Sequence, residues 1–122
     1  MDKYELEMRT KNFAIRVIGF VSSLPKNTAS TVLGNQLLKS GTSIGANYRE
    51  ANRAHSKRDF IHKVGIVEKE ASESQYWLEL FHETQSGCTQ EIECLLKESS
   101  ELTAIFTAIG RSCKNVQRTK VE

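Results

Sequence analysis

Residues 40–80 read SGTSIGANYREANRAHSKRDFIHKVGIVEKEASESQYWLEL, and this stretch carries the most information about the fold. From residue 60 onward, apolar and small residues recur at alternating spacings of four and three, as they do along the buried seam of a bundle helix. The seam consists of Phe60, Val64, Val67, Ala71, Ser74, Leu78 and Phe81. Ser56 is the expected N-cap of this helix, and Asp59 completes a variant of the capping box.

The same helical period appears in three further segments of the chain. We predict helices at about residues 4–23, 28–54, 57–85 and 89–113, followed by a polar tail at 114–122. Pro25 closes the first helix because the residue before a proline avoids helical geometry. Asn27 or Ser30 caps the second helix. Because short connections favour antiparallel neighbours, the predicted fold is all-α: a single domain, residues 1–122, forming an antiparallel up-down-up-down four-helix bundle.

Length, charge and cysteine content limit the class of protein. A chain of 122 residues is long enough for one domain with a buried core, and its net charge of +2 attracts polyanions only weakly. Cys88, Cys94 and Cys113 are not at metal-ligand spacing, and the Glu-x-x-His element of di-iron bundles occurs once, at Glu79 and His82. No signal-peptide pattern or membrane-length apolar run is present. We therefore expect a cytoplasmic protein with reduced thiols, no metal, no cofactor and no membrane partner.

Two glycines, Gly41 and Gly45, lie four residues apart within the predicted second helix. Each costs about 1 kcal/mol relative to alanine in a helix interior. Close approach of another helix to the glycine face would offset that cost. The alternative is a break between two shorter helices near Gly41.

Five basic residues cluster where the second and third predicted helices meet. They are Arg49, Arg53, Lys57, Arg58 and Lys63. Such clusters bind phosphate backbones through charge and counterion release, and arginine adds bidentate hydrogen bonds. The alternative is a solvated face whose charges pair locally with Glu50 and Asp59.

The third helix has more apolar surface than one bundle seam requires. Ile66, Trp77 and Leu80 lie off the seam and form a second face. A four-helix bundle has no central helix with both faces buried, so this second face predicts a subunit interface in a homo-oligomer. The alternative is that Trp77 covers the edge of the bundle core.

Polar residues also lie within or beside the apolar faces of the second and third helices. Ser43, Asn47 and Glu68 are predicted to form a structural polar network, in which Asn47 and Glu68 pair across the two helices and fix their register. A catalytic carboxylate at Glu68 or Glu70 would need a nucleophile, an oxyanion hole or a partner carboxylate, and the sequence supplies none nearby. We therefore predict no catalytic residue and no enzymatic activity.

Three segments together resemble a known family. They are RTKNFAIRVIGFVSSLPKN (9–27), VLGNQLLKSGTSIGANYREANRAHSKRDFIHKVGIVEKEASESQYWLEL (32–80) and LLKESSELTAIFTA (95–108). They look like the four-helix-bundle proteins encoded within intervening sequences of bacterial 23S ribosomal RNA genes. The same group is similar to the accessory variability proteins of diversity-generating retroelements, which form barrel-shaped homopentamers and bind nucleic acid and a reverse transcriptase through basic surfaces.

The resemblance implies a homo-oligomer, a pentameric barrel of four-helix bundles, without an established enzymatic activity. It also implies RNA or DNA binding at the basic positions Arg49, Arg53, Lys57, Arg58 and Lys63. Our first hypothesis is therefore a homopentamer that binds structured RNA or DNA electrostatically. The alternative is a scaffold whose acidic and basic faces dock a partner polypeptide, such as a polymerase or reverse transcriptase.

Overall fold

Four helices account for almost all of the chain in the computed structural model, which describes the backbone of residues 1–121 and the side chains of residues 1–115. They are α1 (Lys3–Ser22), α2 (Thr28–Ala51), α3 (Lys57–Glu83) and α4 (Thr89–Val121). Residues 1–121 contain no β-strand, so the predicted all-α, four-helix fold is confirmed. No helix within the described residues has both the length and the apolar character needed to cross a membrane.

Side-chain caps fix where the helices begin. The Asn27 side chain accepts a hydrogen bond from the Ser30 N–H at 2.9 Å, and the Ser56 hydroxyl accepts one from the Asp59 N–H at 3.0 Å. Ser56 was the predicted cap, and Asn27 was one of the two candidates, with Ser30, for the second helix; each cap satisfies a backbone donor that the first turn leaves unpaired. The cap of α1 is Asp2, whose carboxylate accepts from the Glu5 N–H at 2.8 Å.

Two predicted helix ends need correction. α2 ends at Ala51 rather than at 54, because the N–H groups of Arg53 and Ala54 donate to carbonyls three residues back instead of four. α4 continues to Val121, so the predicted end at 113 and the polar tail at 114–122 are wrong for the residues that the structure describes. The segment after Gly110 contains no proline or further glycine, and its Lys, Arg and Gln are favourable helix formers. Residue 122 lies outside the described residues.

The helices enclose one apolar core. α1 packs closely on α2 and only sparsely on α4, and α3 packs on both α2 and α4. In the described part of the chain the backbones of α1 and α3 do not come close to each other, and the two helices meet across the core, where the Phe20 and Phe81 rings pack edge-on with centroids 5.3 Å apart. The predicted seam of α3 is confirmed, because its members from Val64 to Phe81 are buried and Phe60 packs against them. The largest fully buried side chains include Phe13, Phe81, Phe106, Leu37, Ile44, Leu78 and Leu102.

The glycine pair lies inside an uninterrupted α2 and faces α1. A Cβ atom on Gly41 would lie 3.1 Å from the Cγ atoms of Val17, and one on Gly45 would lie 3.2 Å from the hydroxyl oxygen of Thr10. Both separations are shorter than most contacts that a Cβ atom makes in proteins. The prediction of close helix approach is therefore confirmed, and the alternative of a break near Gly41 is wrong.

Candidate functional site

The α2–α3 connection gathers the five predicted basic residues at one end of the fold. Arg49 lies in the last turn of α2, Arg53 lies in the connection, and Lys57 and Arg58 open α3. Lys63 lies further along the same helix. The connection is short because α2 ends at Ala51 and Ser56 already caps the next helix, so all five positions remain close along the chain.

Ion pairs divide these five residues into two groups. Lys63 Nζ lies 3.5 Å from Glu50 Oε2, which is one of the local pairs anticipated for a solvated face, and Arg49 Nε lies 3.8 Å from Glu7 Oε1. The other three are exposed and form no ion pair within the described residues. We call them the basic corner: Arg53, Lys57 and Arg58.

Two further exposed cations on α4 lie towards the same end of the fold as the basic corner. A Cβ atom on Gly110 would lie 3.9 Å from Val64 Cγ1, so this part of α4 runs beside the first turns of α3. Arg111 follows Gly110 directly, Lys114 lies about one turn further along, and both are exposed. Sequence reasoning did not include them in the site, because only the packing of α4 on α3 brings them to this end of the fold.

The predicted polar network does not form. Asn47 Nδ2 donates to the Ser43 carbonyl at 2.8 Å and the Ser43 hydroxyl donates to the Lys39 carbonyl at 2.6 Å, so both side chains bond within α2. Glu68 Oε1 instead accepts from the Thr107 hydroxyl of α4 at 2.8 Å. Each residue turns the helix by about 100°, so Glu68, which follows buried Val67, points to the α4 side of α3 and cannot reach Asn47.

A different polar pair joins α2 and α3. The Ser74 hydroxyl donates to the Ser40 hydroxyl at 2.9 Å, and both side chains are buried. Ser74 is a member of the predicted seam of α3. Its position as a polar residue in an otherwise apolar seam indicated a buried hydrogen bond. Ser40 could not be identified as the partner without the register of the two helices.

The second face of α3 lies at the edge of the core. Ile66, Trp77 and Leu80 are half-buried, and Trp77 packs against the core cluster. The Tyr76 ring meets the Trp77 ring edge-on, with centroids 5.1 Å apart, and is itself 53% exposed. The Trp77 Nε1–H is buried without an acceptor in the described residues. Trp77 therefore covers the edge of the bundle core, and the subunit interface stays a prediction.

An exposed apolar row on α1 was missed by sequence reasoning. Tyr4, Met8, Ile15 and Ile18 are between 47% and 71% exposed, and exposed Lys11 lies in the same row. Their spacings alternate between four and three, so they share one face of the helix, opposite the buried residues. The same spacing can be read from the sequence beside the buried stripe of α1, and it would have indicated a second apolar face.

Charged residues join α1 to α4 across their sparse seam. The Arg9 guanidinium makes two hydrogen bonds of 2.7 Å to the two carboxylate oxygens of Glu98 and a third of 3.2 Å to Glu101. These hydrogen bonds raise the pKa of Arg9 above its ordinary value. Arg16 Nε also lies 3.5 Å from Glu91 Oε1. The bidentate geometry makes the Arg9–Glu98 pair the strongest of these contacts.

The described residues contain no metal site and two acidic groups, Glu70 and Tyr48, whose pKa is raised. Within residues 1–115, no three His, Cys, Asp or Glu side chains converge on a point that could hold a metal ion. Burial raises the pKa of Glu70, and nearby Glu73 raises it further. Burial also raises the pKa of Tyr48.

An all-helical fold of four helices around one apolar core places the chain in the class of small helical-bundle proteins. The profile of the 23S rRNA-intervening sequence protein family matches residues 2–108. The chain belongs to this family, which confirms the resemblance seen in the sequence. No curated protein matches the chain.

A solved structure supports the same assignment. It is the crystal structure, at 1.70 Å resolution, of a protein of unknown function from the S23 ribosomal protein family of Bacteroides thetaiotaomicron VPI-5482. The two structures superpose with a TM-score of 0.82 at 36% sequence identity, over 91% of this chain and 99% of that chain.

Proposed function

We propose that the protein is a non-enzymatic, cytoplasmic homo-oligomer that binds RNA or DNA through the basic corner of each copy. The observation that carries this proposal is the exposure of Arg53, Lys57 and Arg58, which lie within six residues on the α2–α3 connection and the first turn of α3 and form no ion pair within the described residues. Cations already paired with carboxylates gain little from a phosphate, whereas these three are available to it.

The proposal includes an antiparallel up-down-up-down bundle as the building block. Contacts between successive helices support this arrangement, because residue numbers rise in one helix as they fall in the next. Val17 faces Gly41 while Thr10 faces Gly45. In the same way, Ser74 bonds to Ser40 while Lys63 lies beside Glu50.

Self-association would raise the affinity for nucleic acid beyond what the modest charge of one copy provides. The resemblance noted above implies five copies in a barrel, and a symmetric ring would repeat the basic corner once per copy. Several weak phosphate contacts then act together, and linked contacts of this kind bind far more tightly than one alone. The half-buried residues Ile66, Trp77 and Leu80 are the proposed contribution of α3 to the subunit interface.

Recognition through this surface is expected to be electrostatic rather than base-specific. Arginine and lysine contacts to phosphate fix position and carry no sequence information. Each phosphate contact to a duplex contributes roughly 0.9 to the slope of log affinity against log salt. Loss of three contacts should therefore lower that slope by about 2.7 for each copy engaged.

The test compares two triple variants with the same change in net charge. One replaces Arg53, Lys57 and Arg58 with alanine. Its control replaces three exposed lysines elsewhere, Lys26, Lys39 and Lys97, with alanine. Binding of a labelled structured RNA, and of a DNA hairpin of the same sequence, is measured by fluorescence anisotropy across salt concentrations.

The basic-corner variant should bind more weakly with a flatter salt slope, and the control should keep most of the affinity. Equal losses in both variants would mean that net charge alone drives binding. Unchanged affinity and slope in the basic-corner variant would contradict the proposal. A polypeptide retained by the protein after nuclease treatment would then favour the protein-scaffold alternative.

A further inference from the structure

Two outward apolar surfaces lie on opposite sides of the fold. The first, which we call the α1 outer row, consists of Tyr4, Met8, Lys11, Ile15 and Ile18. The second, which we call the α3 outer patch, consists of Glu73, Tyr76, Trp77, Glu79 and Leu80. α1 and α3 each pack along α2 and α4, whereas in the described residues their backbones do not come close to each other, so the two surfaces occupy opposite corners of the bundle.

The α1 outer row exposes too much apolar surface for an isolated helix face. Its four apolar members are between 47% and 71% exposed, and they follow one another along the face with spacings that suit a partner helix. Single exposed apolar residues are common, but a contiguous row of this kind marks an interaction site. The α3 outer patch offers a matching surface, because Tyr76 is 53% exposed and its ring is held edge-on against Trp77.

Charges at the two surfaces are complementary. Lys11 lies at the middle of the α1 outer row, is exposed, and forms no ion pair within the described residues. Glu73 and Glu79 flank Tyr76 on α3 and are exposed. Glu73 lies 4.0 Å from Lys69, whereas Glu79 has no cationic partner among the described side chains.

These charges distinguish between modes of pairing. If two α1 outer rows packed against each other about a two-fold axis, Tyr4 would meet Ile18 and Lys11 would face its own copy. Like charges placed opposite each other in a contact are destabilising. Packing of the α1 outer row on the α3 outer patch instead places Lys11 among Glu73 and Glu79, while the apolar residues of both surfaces are buried together.

We propose that the α1 outer row of one copy packs on the α3 outer patch of the next copy. The inference rests on the self-association in the proposed function and identifies its two complementary surfaces. Because the surfaces differ and lie on opposite corners, the contact is head-to-tail, and it closes into a ring when the rotation between copies closes. This arrangement differs from a two-fold dimer, in which one surface would meet the same surface of the other copy.

Single substitutions at equally exposed positions test the inference. Ile15→Glu disables the α1 outer row, Tyr76→Glu disables the α3 outer patch, and Val32→Glu on α2 is the control. The three residues are 55%, 53% and 54% exposed, so the folding cost of a charge should be similar. Far-UV circular dichroism verifies folding, and analytical ultracentrifugation measures the mass of each variant and of a one-to-one mixture of the first two.

The expected pattern is specific to head-to-tail contacts. Ile15→Glu and Tyr76→Glu should each sediment as a 13.8 kDa monomer, and their mixture should form a species of twice that mass, because one intact surface remains on each variant. Val32→Glu should keep the wild-type mass. Wild-type mass in both surface variants would overturn this inference and leave self-association standing. A dimer formed by one variant alone would also overturn it.

A monomeric wild-type protein would overturn self-association itself and this inference with it. If a glutamate variant does not fold, charge reversal provides the second test. Lys11→Glu and Glu79→Lys should each raise the dissociation constant about tenfold, and the double variant should recover most of the loss, because it restores opposite charges across the contact. No recovery in the double variant would contradict the pairing.

Discussion

Replacement of Gly41 by alanine should destabilise the protein, although alanine is the better helix former. Alanine gains about 1 kcal/mol of helix propensity at an interior position. Its Cβ would lie 3.1 Å from both Cγ atoms of Val17, which is fully buried and has a stiff, branched side chain. Overpacking of this kind costs about 1–3 kcal/mol, so the net loss should be about 1 kcal/mol.

Gly110→Ala is the matched control. Gly110 is also buried and helical, but the nearest atom to an added Cβ would be Val64 Cγ1 at 3.9 Å, which is ordinary van der Waals contact. The same substitution should therefore stabilise the protein by about 1 kcal/mol. The two variants should differ by about 2 kcal/mol, or roughly 8 °C in Tm for a chain of this size.

Urea unfolding monitored by far-UV circular dichroism, at equal protein concentrations, measures both variants. In a Val17→Ala background, Gly41→Ala should become neutral or stabilising, because the clashing Cγ atoms are gone. A coupling energy of about 1 kcal/mol between the two sites is expected. Equal stabilisation by Gly41→Ala and Gly110→Ala, or no coupling to Val17, would refute the assignment of Gly41 to a close helix contact.

Three further substitutions test individual contacts. Glu70→Gln should raise Tm at pH 7, because the raised pKa of Glu70 means that its ionised form destabilises the folded protein. The wild-type protein keeps its full stability while Glu70 is protonated and loses some of it as pH rises through the folded-state pKa. The gain from Glu70→Gln should therefore vanish below about pH 4. Tm across pH measures it, and a gain independent of pH would contradict that cause. Arg9→Lys should lower the free energy of unfolding by about 0.5–1 kcal/mol, because the two hydrogen bonds to Glu98 are lost, and by less at high salt. Urea unfolding at two salt concentrations measures this change. An unchanged free energy of unfolding at low salt would contradict the prediction. Trp77→Phe should change stability by less than about 1 kcal/mol, because removal of an unpaired buried N–H offsets the lost ring contacts. Urea unfolding measures the change, and a loss above about 1 kcal/mol would contradict this offset.

The helices and their core could be predicted because local signals determine them. The spacing of Val64, Val67 and Leu78 identifies a buried face, and Ser56 and Asn27 identify helix starts through bonds that span three residues. The end of α4 was harder to predict, since no proline or glycine stops it and a helix rich in Lys and Arg carries no apolar signal.

Contacts between helices were predicted poorly where several partners were compatible with the pattern. The sequence pattern allowed Glu68 to face either α2 or α4, since these two faces of α3 are only about one residue apart around the helix. In the structure Glu68 faces α4 and accepts a hydrogen bond from Thr107. The grouping of the basic cluster was predictable from the chain alone. Which of its cations are free was not, because Arg49 pairs with Glu7 of α1, more than forty positions away.

The sparse seam between α1 and α4 has a consequence for how the protein opens. α1 is held mainly by α2, while α2, α3 and α4 support one another through two extensive contacts. Segments with fewer packing partners open at lower free energy and exchange their amide hydrogens sooner. We therefore expect the amide hydrogens of α1 to exchange first and together, and the Arg9–Glu98 ion pair to oppose the separation of α1 from α4. Burial of the α1 outer row by a neighbouring copy would slow that exchange, so the timing of α1 opening would itself report on assembly.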